Sequence, residues 1–173
     1  AAKPLLAALR RWDRRTARRV TRFVAISNHV RDRIRRFYGR EADVVYPPVD
    51  TRRCTPAEAN APAPESDLVV SALVPYKRID LAVEAYRRLP GRRLRIIGTG
   101  TQFDALRAAA PSNVEFLGWQ DDAAVLAAYR ACRLLIFPGE EDFGIVPLEA
   151  QACGKPVVAY ARGGALETVV RDR

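Results

Sequence analysis

Residues 67–98 read DLVVSALVPYKRIDLAVEAYRRLPGRRLRIIG. The apolar run DLVVSAL predicts a strand, RIDLAVEAYRRL a helix, and RRLRIIG a second strand. A strand, a helical crossover and another strand make a βαβ unit, which implies parallel pairing. The pattern repeats downstream. TQFDALRAAA, DAAVLAAYRAC and IVPLEAQAC predict helices, and NVEFLG, RLLIF and KPVVAY predict strands. GALETVV then begins a helix that the end of the chain cuts short. These strands are nearly continuous apolar runs, as expected where helices cover both faces of a sheet. The expected fold class is therefore α/β, a Rossmann-like parallel sheet with helices on both faces.

Upstream the chain changes character. FVAI (23–26) and ADVVY (42–46) predict short strands. Between them HVRDRIRRFYG predicts a helix capped by Ser27 or Asn28 and ended by Gly39. Before them, Leu5, Leu9, Trp12, Thr16, Val20 and Phe23 recur at steps of three and four, an amphipathic helical pattern with arginines on its other faces. Residues 47–66, rich in Pro and Ala, read as a linker.

Composition bounds the function. Residues 1–53 hold 15 Lys/Arg against 5 Asp/Glu, and the remaining residues 14 against 15, so the formal charge of +9 is concentrated at one end. The basic helix is read first as a docked helix with a solvated Arg face. Contact with an anionic membrane surface or a lipid-phosphate substrate stays open. There is no aromatic stacking platform or recognition motif for nucleic acid. Three dispersed cysteines without metal spacing and a single histidine, His29, give a metal site or a His-based triad little to work with. A cytoplasmic setting is expected, and no metal or other cofactor. The chain starts without Met and reads as a piece of a longer protein.

Ligands of such sheets bind at the carboxyl ends of the strands. The loops there are VPYKR (74–78), GTG (98–100), GWQDD (118–122), PGEEDFG (138–144) and ARGG (161–164). They combine positive charge, glycines, an aromatic and an acidic cluster, as a site for a phosphorylated ligand would. Gly144 permits close backbone approach. The helix behind it, with Pro147 in its first turn, offers free N–H groups to an anion. Glu141 before that helix and Glu149 within it can accept hydrogen bonds from sugar or ribose hydroxyls. Either glutamate alone reads better as a solvated turn residue or a helix-dipole partner. Gly98 and Gly100 read as turn glycines, since a lone G-x-G is weak evidence of dinucleotide binding.

The combination is more specific. Glu141 and Glu149 with seven residues between them, Phe143-Gly144 after the first and Pro147-Leu148 before the second, resemble the retaining glycosyltransferases of family 4, with the GT-B fold. ACGKPVVA and GGALETV extend the match, as do SALVPYKRIDLAVEAY and AISNHVRDRIRRFYG with VVYPPVD upstream. The wording of SALVPYKR, FLGWQ and FPGEEDFGIVPLEA most resembles bacterial mannosyltransferases of O-antigen-type surface polysaccharides.

The resemblance implies a domain plan. Residues 1–46 would be the end of the amino-terminal acceptor domain, 47–66 the linker, and 67–173 a nucleotide-sugar-binding domain incomplete at its end. Glu141 would bind the donor sugar, and Lys77 would neutralise the leaving diphosphate. Glu149 would contact the ribose, and the backbone of Phe143, Gly144, Ile145 and Val146 the phosphate or sugar. Gly118 and Trp119 would flank the base, with plain packing as an equal alternative for Trp119. Gly163 and Gly164 would allow close approach near the sugar. The family often carries Arg at the position of Ala72, and Arg78 is the candidate for that second charge.

The implied reaction moves a sugar, mannose from GDP-mannose by the finer resemblance, to a glycan or polyprenol-linked acceptor. No nucleic-acid partner is implied. The piece by itself is expected to be inactive. A glycosidase, a GT-B phosphorylase or epimerase, and a non-enzymatic nucleotide- or polyanion-binding module are the alternatives.

Overall fold

The computed structural model describes residues 2–170. Residue 1 and residues 171–173, the outer ends of the regions assigned from sequence, lie outside the described residues. The chain divides into two units, Ala1–Pro47 and Pro48–Arg173.

In the first unit α1 (Ala2–Ala17) is followed by β1 (Phe23–Ala25), α2 (Asn28–Tyr38) and β2 (Ala42–Val44), with β1 and β2 parallel. Ser27 is the cap of α2: its Oγ accepts from the Val30 N–H at 3.0 Å, and it is fully buried. Gly39, at φ 62°, ends the helix in the left-handed conformation. The Tyr38 hydroxyl donates to Asp13 at 2.9 Å and ties α2 to α1. The helical pattern expected to run to Phe23 stops at Ala17. Turns at Arg18–Val20 bond to carbonyls three residues back. Arg40 donates to the carbonyls of Ala17, Val20 and Thr21, which frees Phe23 to enter the strand. Leu5, Leu9 and Trp12 are exposed on α1.

The second unit is a sheet of parallel strands in the order β5-β4-β3-β6-β7. These are β3 (Ser66–Val70), β4 (Arg93–Ile97), β5 (Val114–Gly118), β6 (Cys132–Phe137) and β7 (Val157–Ala159). Between and after them run α3 (Ile79–Arg87), α4 (Phe103–Ala109), α5 (Asp122–Ala131), α6 (Ile145–Ala152) and α7 (Ala165–Thr168). Alternation along β3 sends Val69 to one face and Leu68 to the other. Val69 joins Ile79, Val83, Leu94 and Ile96 in the α3 and α4 layer. Leu68 joins Tyr129, Leu135 and Ala150 in the α5 and α6 layer. Helices thus cover both faces, as the apolar runs require. Each fully buried Leu or Ile here contributes roughly 2 kcal/mol by transfer from water.

The Pro- and Ala-rich stretch read as a linker groups with the second unit. Its first half is pinned: Arg130 donates to the Thr55 and Arg53 carbonyls at 3.0 and 3.1 Å and to Thr55 Oγ1 at 2.7 Å. Cys54 packs on the core layer of α5 and α6.

Candidate active site

Sequence order and strand order diverge beside β3. From β3 the chain moves outward to β4 and β5, then returns to lay β6 on the other side of β3. The loops after β3 and β6 therefore leave in opposite directions, and a crevice opens between them at the carboxyl edge.

Lys77 ends a single 3-10 turn, Pro75–Lys77, after β3. Its Nζ forms an ion pair with Glu141 Oε1 from the loop after β6. The two side chains are only 19% and 16% exposed. Two residues that share no local sequence are thus brought into contact by topology. Glu141 Oε1 is buried and has no hydrogen-bond donor besides that ammonium.

Small residues weld the loops together. A Cβ on Gly139 would lie 2.9 Å from the Lys77 Cα, so the loop after β6 presses directly on the lysine backbone. The Gly164 N–H donates to the Glu141 carbonyl at 2.7 Å. A Cβ on Gly163 would lie 2.3 Å from that carbonyl, and one on Gly164 would lie 2.4 Å from the Phe143 Cα. Gly163 and Gly164 therefore allow the backbone of 141–143 to approach closely. Gly98 and Gly100 act likewise toward the Ser71 and Leu73 carbonyls, consistent with turn glycines.

Gly144, at φ 93°, caps α6 in a conformation L side chains rarely adopt. Behind it the Ile145 and Val146 amides belong to the first turn, where intrahelical acceptors are lacking. Phe143 is buried, Ile145 is exposed and Val146 packs on the core. Glu149, half-buried in the second turn, accepts a hydrogen bond from the Tyr129 hydroxyl of α5 at 2.9 Å. Burial and the neighbouring Glu149 charge hold the Tyr129 phenol well above its ordinary pKa, so it remains a donor. Tyr129 was not singled out from sequence. A Tyr closing an apolar helix was the available signal, because a buried phenol needs a polar partner.

Arg78 takes a left-handed conformation at φ 53° and turns its guanidinium onto Asp80, with contacts of 3.1 to 3.3 Å. Both side chains of this pair are about half-exposed. Gly118 ends β5, and Trp119 beyond it is 73% exposed, so plain packing does not account for it.

The opposite, amino edge of the sheet has its own cavity, of about 1230 Å³, under residues 55–63. Its cations are engaged internally: Arg95 with Glu115 at 3.2 Å, Arg93 with Glu65 at 3.9 Å, and Arg130 with the 53–55 backbone.

Comparison with known proteins matches residues 58–173 to the family Glycosyl transferases group 1 and residues 1–53 to Glycosyltransferase Family 4. A D-inositol 3-phosphate glycosyltransferase of Nocardia farcinica is 35% identical over 98% of the chain, which spans 41% of that relative. The enzyme of the same name from Mycobacteroides abscessus is 37% identical over 76% of the chain, with 34% of its own length matched. Among solved structures, Anabaena HepE in complex with UDP-glucose superposes with a TM-score of 0.76 at 25% identity, over 88% of this chain and 48% of that one. The chain thus spans less than half the length of these relatives. Among the described residues, no helix is long and apolar enough to cross a membrane.

Proposed function

The chain belongs to the Glycosyl transferases group 1 family, and from that premise we propose that its second unit holds the nucleotide-sugar donor of a retaining glycosyltransferase. The observation that carries this is the Lys77–Glu141 pair in the crevice beside β3, against the start of α6. Lys77 takes the donor diphosphate, helped by the amides of Phe143–Val146 and the α6 dipole. Glu141, released from Lys77, accepts from hydroxyls of the donor sugar. Glu149 accepts from the ribose, and Gly118 and Trp119 border the base. The bond from the anomeric carbon to the diphosphate breaks through an oxocarbenium-like state. The acceptor oxygen bonds to the same face, and its proton leaves with the diphosphate. Positive charge and amide dipoles aimed at the leaving group supply the stabilisation, so the proposal needs no metal.

Residues 1–46 are, on this reading, the end of the acceptor domain. Their excess of arginine suits an acceptor that carries phosphate, and so does the inositol 3-phosphate in the names of both relatives. We take a uridine nucleotide as the first candidate donor, because HepE is described with UDP-glucose. GDP-mannose, with a glycan or polyprenol-linked acceptor on the inner membrane face, is the second reading, favoured by the wording of residues 71–78 and 137–150.

A thermal-shift panel with UDP, UDP-glucose, GDP and GDP-mannose tests both. A ligand that binds only the folded chain raises its midpoint by mass action. One nucleotide should stabilise the chain, and Lys77→Ala should abolish the shift. Equal shifts in wild type and Lys77→Ala would refute the site.

A further inference from the structure

We propose that Tyr129 is a positioning residue that presents Glu149 to the ribose, an inference that rests on the reading of Glu149 given above. The phenol hydroxyl donates to Glu149 Oε2 at 2.9 Å. The ring is 2% exposed and packs with Leu68, Leu135 and Ala150. A hydroxyl whose ring is fixed by strands and helices is itself fixed in space, which a surface hydroxyl is not. A free Glu side chain samples many rotamers, and holding one oxygen removes most of that freedom before a ligand arrives. On this proposal the other oxygen, Oε1, accepts from the ribose diol.

Tyr129 comes from α5 and Glu149 from α6, so the contact reaches across two helices on one face of the sheet. On this account Tyr129 never touches the donor. It sets where the carboxylate stands, and its effect should appear only when the ligand has ribose hydroxyls to offer.

The test is calorimetric titration of the chain with UDP and with 2′,3′-dideoxy-UDP, in wild type, Tyr129→Phe, Glu149→Ala and the double variant. Wild type should prefer UDP by about tenfold or more, the size of one hydrogen bond to a charged group. Tyr129→Phe should bring the preference to within about threefold of unity by weakening UDP alone, with dideoxy-UDP binding unchanged. The double variant should match Glu149→Ala, because the phenol acts through the carboxylate. The unliganded melting temperature of Tyr129→Phe reports any structural damage. Equal weakening of both ligands in Tyr129→Phe would mean a merely structural hydroxyl and overturn the proposal. So would a wild-type preference retained in Tyr129→Phe but lost in Glu149→Ala. A preference retained in Glu149→Ala would refute the ribose contact itself, and that pattern differs from the other two.

Discussion

The segment built on β3 carries a charged cluster near each end, and the two are constructed differently. Near its amino end Asp67 is fully buried. Its carboxylate takes the Tyr86 hydroxyl, Arg92 through contacts of 3.0 and 2.9 Å, and Arg133 at 3.3 Å. Beyond its carboxyl end, Lys77 meets Glu141 in a glycine-bounded crevice, with the Tyr76 ring 5.1 Å from the ammonium and no other donor on Glu141 Oε1. A buried carboxylate saturated by cations and a phenol is a fixed structural joint. On the proposed function, the ion pair at the edge where the strand order reverses is an exchangeable contact, in which the donor diphosphate takes the place of Glu141 on Lys77.

This contrast can be broken by substitution. The largest effect is expected for Asp67→Ala, which should lower folding stability by about 3 kcal/mol, because it leaves the buried Tyr86 and the partly exposed Arg92 and Arg133 without their shared acceptor. Glu141→Ala removes a single contact from a pair that keeps 16 to 19% exposure, and should cost less, about 1 to 2 kcal/mol. Urea denaturation of both variants measures this, and equal losses would erase the distinction between the two ends.

Next in size, Lys77→Ala should weaken UDP binding about 10- to 100-fold, the worth of a charge-assisted hydrogen bond, and should lower the unfolding midpoint as well, because it leaves the largely buried Glu141 carboxylate without its ammonium. Glu141→Gln should act in the opposite direction on UDP. With the competing carboxylate neutralised, Lys77 is available to the diphosphate, and UDP should bind a few-fold more tightly. The same variant should lose whatever affinity the sugar adds. Titrations with UDP and UDP-glucose separate these effects.

The amino end should respond to alkali. Cys132, at the start of β6, is raised from 9.0 to about 11, chiefly by burial. The unfolded chain therefore gives up this proton first, so the contribution is intact below pH 9 and is lost as pH rises from 9 toward 11. Urea midpoints across that window should fall, and less steeply in Cys132→Ala. The smallest effect is expected for Trp119→Ala, whose side chain is largely in solvent. Stability should change by less than about 0.5 kcal/mol, while nucleotide affinity falls if the indole borders the base.

The fold was legible because the strands of the second unit are apolar runs separated by helical crossovers, and that pattern admits few parallel sheets. The loops that gather Lys77 and Glu141 follow from the rule on carboxyl ends. Contacts that depend on packing were not legible. Nothing in the sequence spacing joins Tyr129 to Glu149, since their helices meet only after both dock on one face of the sheet. Asp67 read as the first residue of a strand; its burial depends on Arg92 and Arg133, which arrive from β4 and β6 or just before them. The end of α1 at Ala17 is set by Arg40, more than twenty residues away, which no helical periodicity encodes. Residues 47–66 look like a linker by composition, yet Arg130 fastens their first half to the second unit.

The measurement that tests the central claim most directly is amide chemical-shift mapping of the isotope-labelled chain with UDP. The account predicts perturbations concentrated at Lys77, in 138–146 and at Glu149. Perturbations clustered instead around Arg93, Arg95 and Arg130, at the amino-edge cavity, would contradict it.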